Sequence, residues 1–113
     1  MIRRLVMTTA LKEGAVAEYE RYHRDPPPEV FEYSRELGIR NVSIYRHGTL
    51  LVQVIEADDL DAGQIGLDAD PRALEFIELM RTFMDSPASG SGGWTEAVEI
   101  YRWERDAGLL IRP

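Results

Sequence analysis

The sequence predicts an α+β domain built on one antiparallel sheet, and three observations carry that reading. Stretches with period-two alternation lie at both ends and in the middle of the chain, helical stretches separate them, and turn residues mark the junctions. The resulting order, βαββαβ, is the ferredoxin-like arrangement, which places its helices on one sheet face only. At 113 residues the chain makes a single domain, residues 1–113, with one modest core.

Each element follows from local chemistry. Residues 2–9 are rich in branched apolar side chains and read as the first strand. Residues 14–24 then carry Val16, Tyr19, Glu20 and His23 at helical spacing. Pro26, Pro27 and Pro28 stop that helix, and Pro28 also opens a second helical stretch, EVFEYSREL, that Gly38 ends. The crossover is therefore a bent helix pair. Residues 40–46 and 49–57 alternate as two strands joined by a turn at His47 and Gly48. Pro71 opens a helix running to about residue 84, with Ala73, Phe76, Ile77 and Met80 at core spacing. DSPASGSGG has the composition of a surface loop, and EADDLDAG reads as a helix N-cap with a solvated acidic face. Residues 94–103 form the last strand.

Composition excludes several function classes. With 20 acidic against 13 basic residues the net charge is −7, and the basic side chains do not cluster, so no nucleic-acid or membrane-surface partner is expected. The absence of cysteine removes disulfides, thiolate zinc sites and a cysteine nucleophile together. Two histidines are too few for a histidine-rich metal site, so no metal is expected. No run approaches the roughly 18 apolar residues of a spanning helix, and the start reads as a strand rather than a leader, so a cytoplasmic location is expected.

One sheet face stays uncovered in this arrangement. Alternation puts Val42 and Ile44, Val52 and Val54, and Val98 and Ile100 toward the helices. The other face would then carry Asn41, Ser43 and Tyr45, with Leu51, Gln53 and Ile55, and Ala97, Glu99, Tyr101 and Trp103. Such a face is too apolar for open water, so a second subunit should cover it, making a homodimeric α+β barrel, with the ligand cavity between sheet and crossover.

Candidate chemistry gathers at the end of the first helix. Tyr19 and His23 are four residues apart and so share one helix face. An unperturbed imidazole titrates near pH 6.5, so about 10²- to 10⁴-fold in rate is within reach of its acid/base action. The competing reading is a histidine that caps carbonyls and favours the helix dipole. Glu29 is either a carboxylate partner or a first-turn acid at a helix N-terminus. Glu99, mid-strand on the presumed cavity face, must be paired or solvated. Asn41, Ser43, Tyr45 and Gln53 could orient substrate hydroxyls or bond across strands. Phe76 and Met80 sit at core spacing and would wall the cavity, and His47 lies in a solvated turn.

EYERYH, the following PPE, GIRNVSIY and LLVQVIEADD together resemble the L-rhamnose mutarotase family in order and spacing across roughly residues 1 to 84. The resemblance implies a cofactor-free, dimeric isomerase that interconverts sugar anomers, with His23 as acid/base and Tyr19 gripping the sugar. Where that family has Trp-Pro-Glu this chain has Pro27-Pro28-Glu29, and where it is tryptophan-rich this chain has Phe76-Ile77. A second resemblance, over residues 49–104, links LLVQVIEADD and WTEAVEIYRWE to the small aromatic polyketide cyclases. Three readings follow: a mutarotase acting on a deoxysugar, a cyclase or isomerase acting on a polyphenolic intermediate, and a ligand-binding dimer without chemistry.

Overall fold

The computed structural model describes residues 3–59, 71–85 and 94–109. Of EADDLDAG, expected as a helix N-cap, Glu56 and Ala57 are instead the end of the strand Leu50–Ala57, while residues 60–63 and the expected loop beyond Asp85 fall outside those residues. Strand β1 (Arg3–Ala10) leads to helix α1 (Val16–Arg24), which stops at Asp25 before the proline run. Pro28 then opens α2 (Pro28–Glu36), its fixed φ suiting a first helical position. Gly38 ends that helix at φ 75°, donates its N–H to the Arg35 carbonyl, and passes the chain to β2 (Ile39–His47). Gly48, at φ 62°, makes the tight turn into β3 (Leu50–Ala57). Helix α3 (Pro71–Arg81) and strand β4 (Thr95–Ala97) complete the βαββαβ order. The sheet runs β2-β3-β1-β4, all neighbours antiparallel, as a ferredoxin-like fold requires.

The core lies between this sheet and the helices. Leu5, Met7, Leu11, Tyr19, Leu51, Ile55, Met80, Met84 and Trp94 form one buried cluster. Helix α3 is shorter than its periodicity suggests, because residues 82–84 turn out of it. Met84 then reaches back to a bridge with Leu11 and is fully buried.

Two expectations are corrected. Strand β3 is turned over: Leu51, Gln53 and Ile55 pair opposite Thr9, Met7 and Leu5, on the helix side, while Val52 and Val54 occupy the open face. Residues 50–52 and 54–55 are all apolar, so alternation does not choose between the two faces. Volume does, since the longer Leu51 and Ile55 side chains fill the layer that the smaller valines would leave underpacked.

The last strand is also much shorter than residues 94–103. Only Thr95–Ala97 pairs with β1, at Val6, Met7 and Thr8. Arg102 clasps Glu99 with two hydrogen bonds of 2.9 and 2.7 Å. Residues three apart in an extended strand face opposite sides, so the clasp forms where the chain has left the strand and bent away from the sheet. Val98 and Ile100, expected against the helices, are 82% and 84% exposed. Beyond the bend, β5 (Trp103–Glu104) pairs with β6 (Gly108–Leu109) in a separate small hairpin.

Candidate functional site

A cavity of about 760 Å³ opens between the helix layer and the sheet. Helix α1 contributes Tyr19, Glu20, His23 and Arg24 to its wall, and α2 contributes Val30, Phe31, Tyr33 and Ser34. The floor is Leu5 and Met7 of β1, Ile44 and Arg46 of β2, and Leu51, Gln53 and Ile55 of β3. Phe76, Ile77 and Met80 of α3 close one side. The site therefore uses the covered face of the sheet, and His23 faces this interlayer space rather than the open face.

The proline break sets His23 in place. Helix α1 ends one residue beyond it, and Pro26 takes part in the cavity wall. Its Nδ1 lies 2.9 Å from the backbone carbonyl oxygen of Tyr19. A carbonyl only accepts, so Nδ1 carries hydrogen there and Nε2 is the nitrogen left for other partners. The Tyr19 ring stacks on the imidazole at a centroid distance of 4.3 Å and a tilt of 33°. Phe76 approaches the imidazole edge-on at 5.7 Å. The carbonyl bond expected of a helix-terminal histidine is thus present, and it orients the ring.

Burial of Tyr19 pushes its hydroxyl well above the usual phenol range, which keeps it neutral. Tyr19 is only 3% exposed. A phenol in that state donates a hydrogen bond and does not act as a base.

Charge sits at the α1 edge of the cavity. The Glu20 carboxylate accepts from Arg46 Nε at 2.5 Å and from Arg24 at 3.5 Å. The hydrogen bond from Arg46 is the main reason its carboxyl lies below the usual carboxylate range. Arg46 also donates to the Gly48 carbonyl at 3.0 Å. Among the described residues no group of three histidine, cysteine, aspartate or glutamate side chains is placed to hold a metal ion.

Of the residues singled out in the sequence, the structure brings His23, Tyr19, Asn41, Gln53, Phe76 and Met80 to the cavity wall. Asn41 reaches it at the irregular start of β2, where the register slips between Ile39 and Asn41. Glu29 lies exposed in the first turn of α2. Tyr45 pairs opposite Val52 on the open face and is 62% exposed. Glu99 is engaged by Arg102, and Tyr101 and Trp103 are exposed beyond the bend. These five stand outside the cavity wall.

Glu20, Arg24 and Arg46 are site residues that sequence reading passed over. One signal was present: Val42, Ile44 and Arg46 alternate on one side of β2, so an arginine occupies a position the pattern reserves for an apolar side chain.

Comparison with known proteins bears on this geometry. The family model described as L-rhamnose mutarotase matches residues 4–103. An L-fucose mutarotase from Xanthomonas campestris pv. campestris is 35% identical over 109 residues, spanning 88% of this chain and 87% of the relative. Among solved structures, an L-rhamnose mutarotase from Formosa agariphila superposes with a TM-score of 0.71 at 16% identity, covering 90% of this chain and 99% of that one. Tetracenomycin F2 cyclase from Streptomyces glaucescens, a type-II polyketide cyclase, superposes with a TM-score of 0.62 at 16% identity, over 88% and 97% of the two chains. At that identity both superpositions speak to the fold alone.

Proposed function

The chain belongs to the L-rhamnose mutarotase family and is an isomerase of that type, and we propose that it interconverts the anomers of a 6-deoxyaldose such as L-rhamnose, with His23 as the acid/base group. The observation that carries this reading is the His23–Tyr19 pair at the cavity wall, its Nδ1 tied to the helix and its Nε2 left for substrate. Mutarotation needs little more. Nε2 takes the proton of the anomeric hydroxyl, the C1–O5 bond breaks as the C1–O1 carbonyl forms, and the imidazolium so formed gives a proton from Nε2 to O5. Rotation about C1–C2 and the reverse steps then close the ring on the other face of C1. Protons taken and given balance, and no electrons are exchanged. Tyr19 and Gln53 supply hydrogen bonds to the ring hydroxyls, and the apolar wall of Val30, Phe31 and Ile55 suits a C5-methyl group. No cofactor enters this scheme, and the cytoplasm is where we place it.

Saturation-transfer NMR of L-rhamnose and L-fucose tests the reading directly. Exchange between anomers faster than the spontaneous rate supports it. No acceleration of any common aldose overturns it, and binding of a flat phenolic compound would then favour the cyclase reading. An apolar wall with Phe76 and Ile77 in place of indoles is the feature that would suit such a ligand.

A homodimer completes the proposal. The open face carries Val52, Val54 and Tyr45, and the bent arm exposes Val98, Ile100, Tyr101 and Trp103. A two-stranded hairpin as short as β5–β6 is marginal alone in water, and it gains a support if the arm lies against a second copy. Sedimentation at micromolar concentration should give a dimer, and a monomer would remove this part of the proposal.

A further inference from the structure

We propose that Glu20 is a positioning residue, which holds α1 to the sheet through Arg46 and so fixes where His23 meets substrate. The inference rests on the mutarotase reading for its kinetic consequence, though not for its geometry. Glu20 and Arg46 are 26 positions apart and belong to different layers of the fold, one on α1 and one on β2. Their 2.5 Å contact therefore joins the helix carrying the acid/base group to the strand beneath the cavity. Glu20 follows Tyr19 directly and precedes His23 by three residues, so it lies beside His23 on the helix surface.

The anchor is itself held. Arg46 donates to the Gly48 carbonyl in the tight turn, which limits where its guanidinium can go. Arg24 adds a second cation 3.5 Å from the same carboxylate. In the same turns of the helix, Glu18 and Arg21 form a 2.8 Å pair that stays within α1. It has the same chemistry without the connection to the sheet, and so serves as an internal control.

Exposed ion pairs add little to stability, so the role of Glu20 should be visible in kinetics rather than in folding. A small displacement of a catalytic group is costly in rate even when nothing unfolds. Neither member of the pair is asked to touch the sugar.

The experiment compares Glu20→Gln, Arg46→Gln, the double variant and Glu18→Gln. Each single change in the pair should lower kcat about tenfold with a smaller change in KM. The double variant should be no worse than either single, because both remove one connection. Glu18→Gln should match wild type. Additive losses in the double variant, or an unchanged kcat in Glu20→Gln, would overturn the proposal. The His23 ring resonances of the unliganded protein provide a readout that needs no activity: they should shift in Glu20→Gln and Arg46→Gln alike, and stay in place in Glu18→Gln. If wild type accelerates no aldose, the mutarotase reading fails, while unshifted His23 resonances would separately refute the positioning role.

Discussion

The imidazole of His23 is fastened by its Nδ1 to the carbonyl oxygen of Tyr19, one helical turn earlier, at 2.9 Å. That bond settles which nitrogen is available for proton transfer. His23→Ala should lower turnover by about 10²-fold or more while leaving the fold intact, since the side chain is only partly buried. Saturation-transfer exchange rates read the loss, and circular dichroism checks the fold. Equal exchange in variant and wild type would remove His23 from the mechanism.

Tyr19 predicts an alkaline weakness. Below its ordinary pKa of 10.0 the phenol is neutral both folded and unfolded. Above that value the unfolded chain releases a proton that burial makes the folded chain retain, so stability declines as pH rises. Denaturant midpoints measured from about pH 9 upward should fall for wild type, and fall less for Tyr19→Phe. Of the five tyrosines, at least one should ionise only on unfolding, seen in the near-ultraviolet phenolate absorbance. A Tyr19→Phe profile parallel to wild type would contradict this.

Gln53 is an amide on a floor otherwise formed largely of apolar side chains. Gln53→Leu keeps the volume and deletes the hydrogen-bonding group. It should raise KM by about five- to tenfold, the worth of one neutral hydrogen bond, with kcat nearly unchanged. A fall in kcat at constant KM would instead give Gln53 a transition-state role.

The orientation of β3 is testable by stability. Leu51 is 1% exposed in the core cluster, so Leu51→Ala should cost about 2–5 kcal/mol. Val54→Ala, on the open face, should cost clearly less at low protein concentration. Urea titrations of the two variants decide the matter, and equal losses would indicate that the faces are assigned the wrong way round.

Legibility in the sequence followed the range of the interactions. The Tyr19–His23 pair could be read because four residues on a helix define a contact without any knowledge of the rest. Pro28, Gly38 and Gly48 marked their junctions for a similar reason, since each answers a local backbone requirement. The face of β3 could not be read from its own residues, as each side carries large apolar side chains and only the fill of the interlayer space decides. The bend after Ala97 brings Glu99 to Arg102 rather than to a strand partner, a contact that alternation does not foresee. Glu20 and Arg46 meet only once the sheet has brought β2 under α1. The acid/base candidates were therefore visible, and the charged contact beside them was not.

Because the cavity lies between helices and sheet, the opposite face of the sheet does not line it. Two copies joined back to back would leave each cavity its own entrance, and neither would have to open for the other to fill. In such a dimer, occupancy of one site is expected to leave its twin's affinity unchanged. Saturation curves should be hyperbolic, with a Hill coefficient of about 1, and a preparation in which half the subunits are inactivated should keep half its rate.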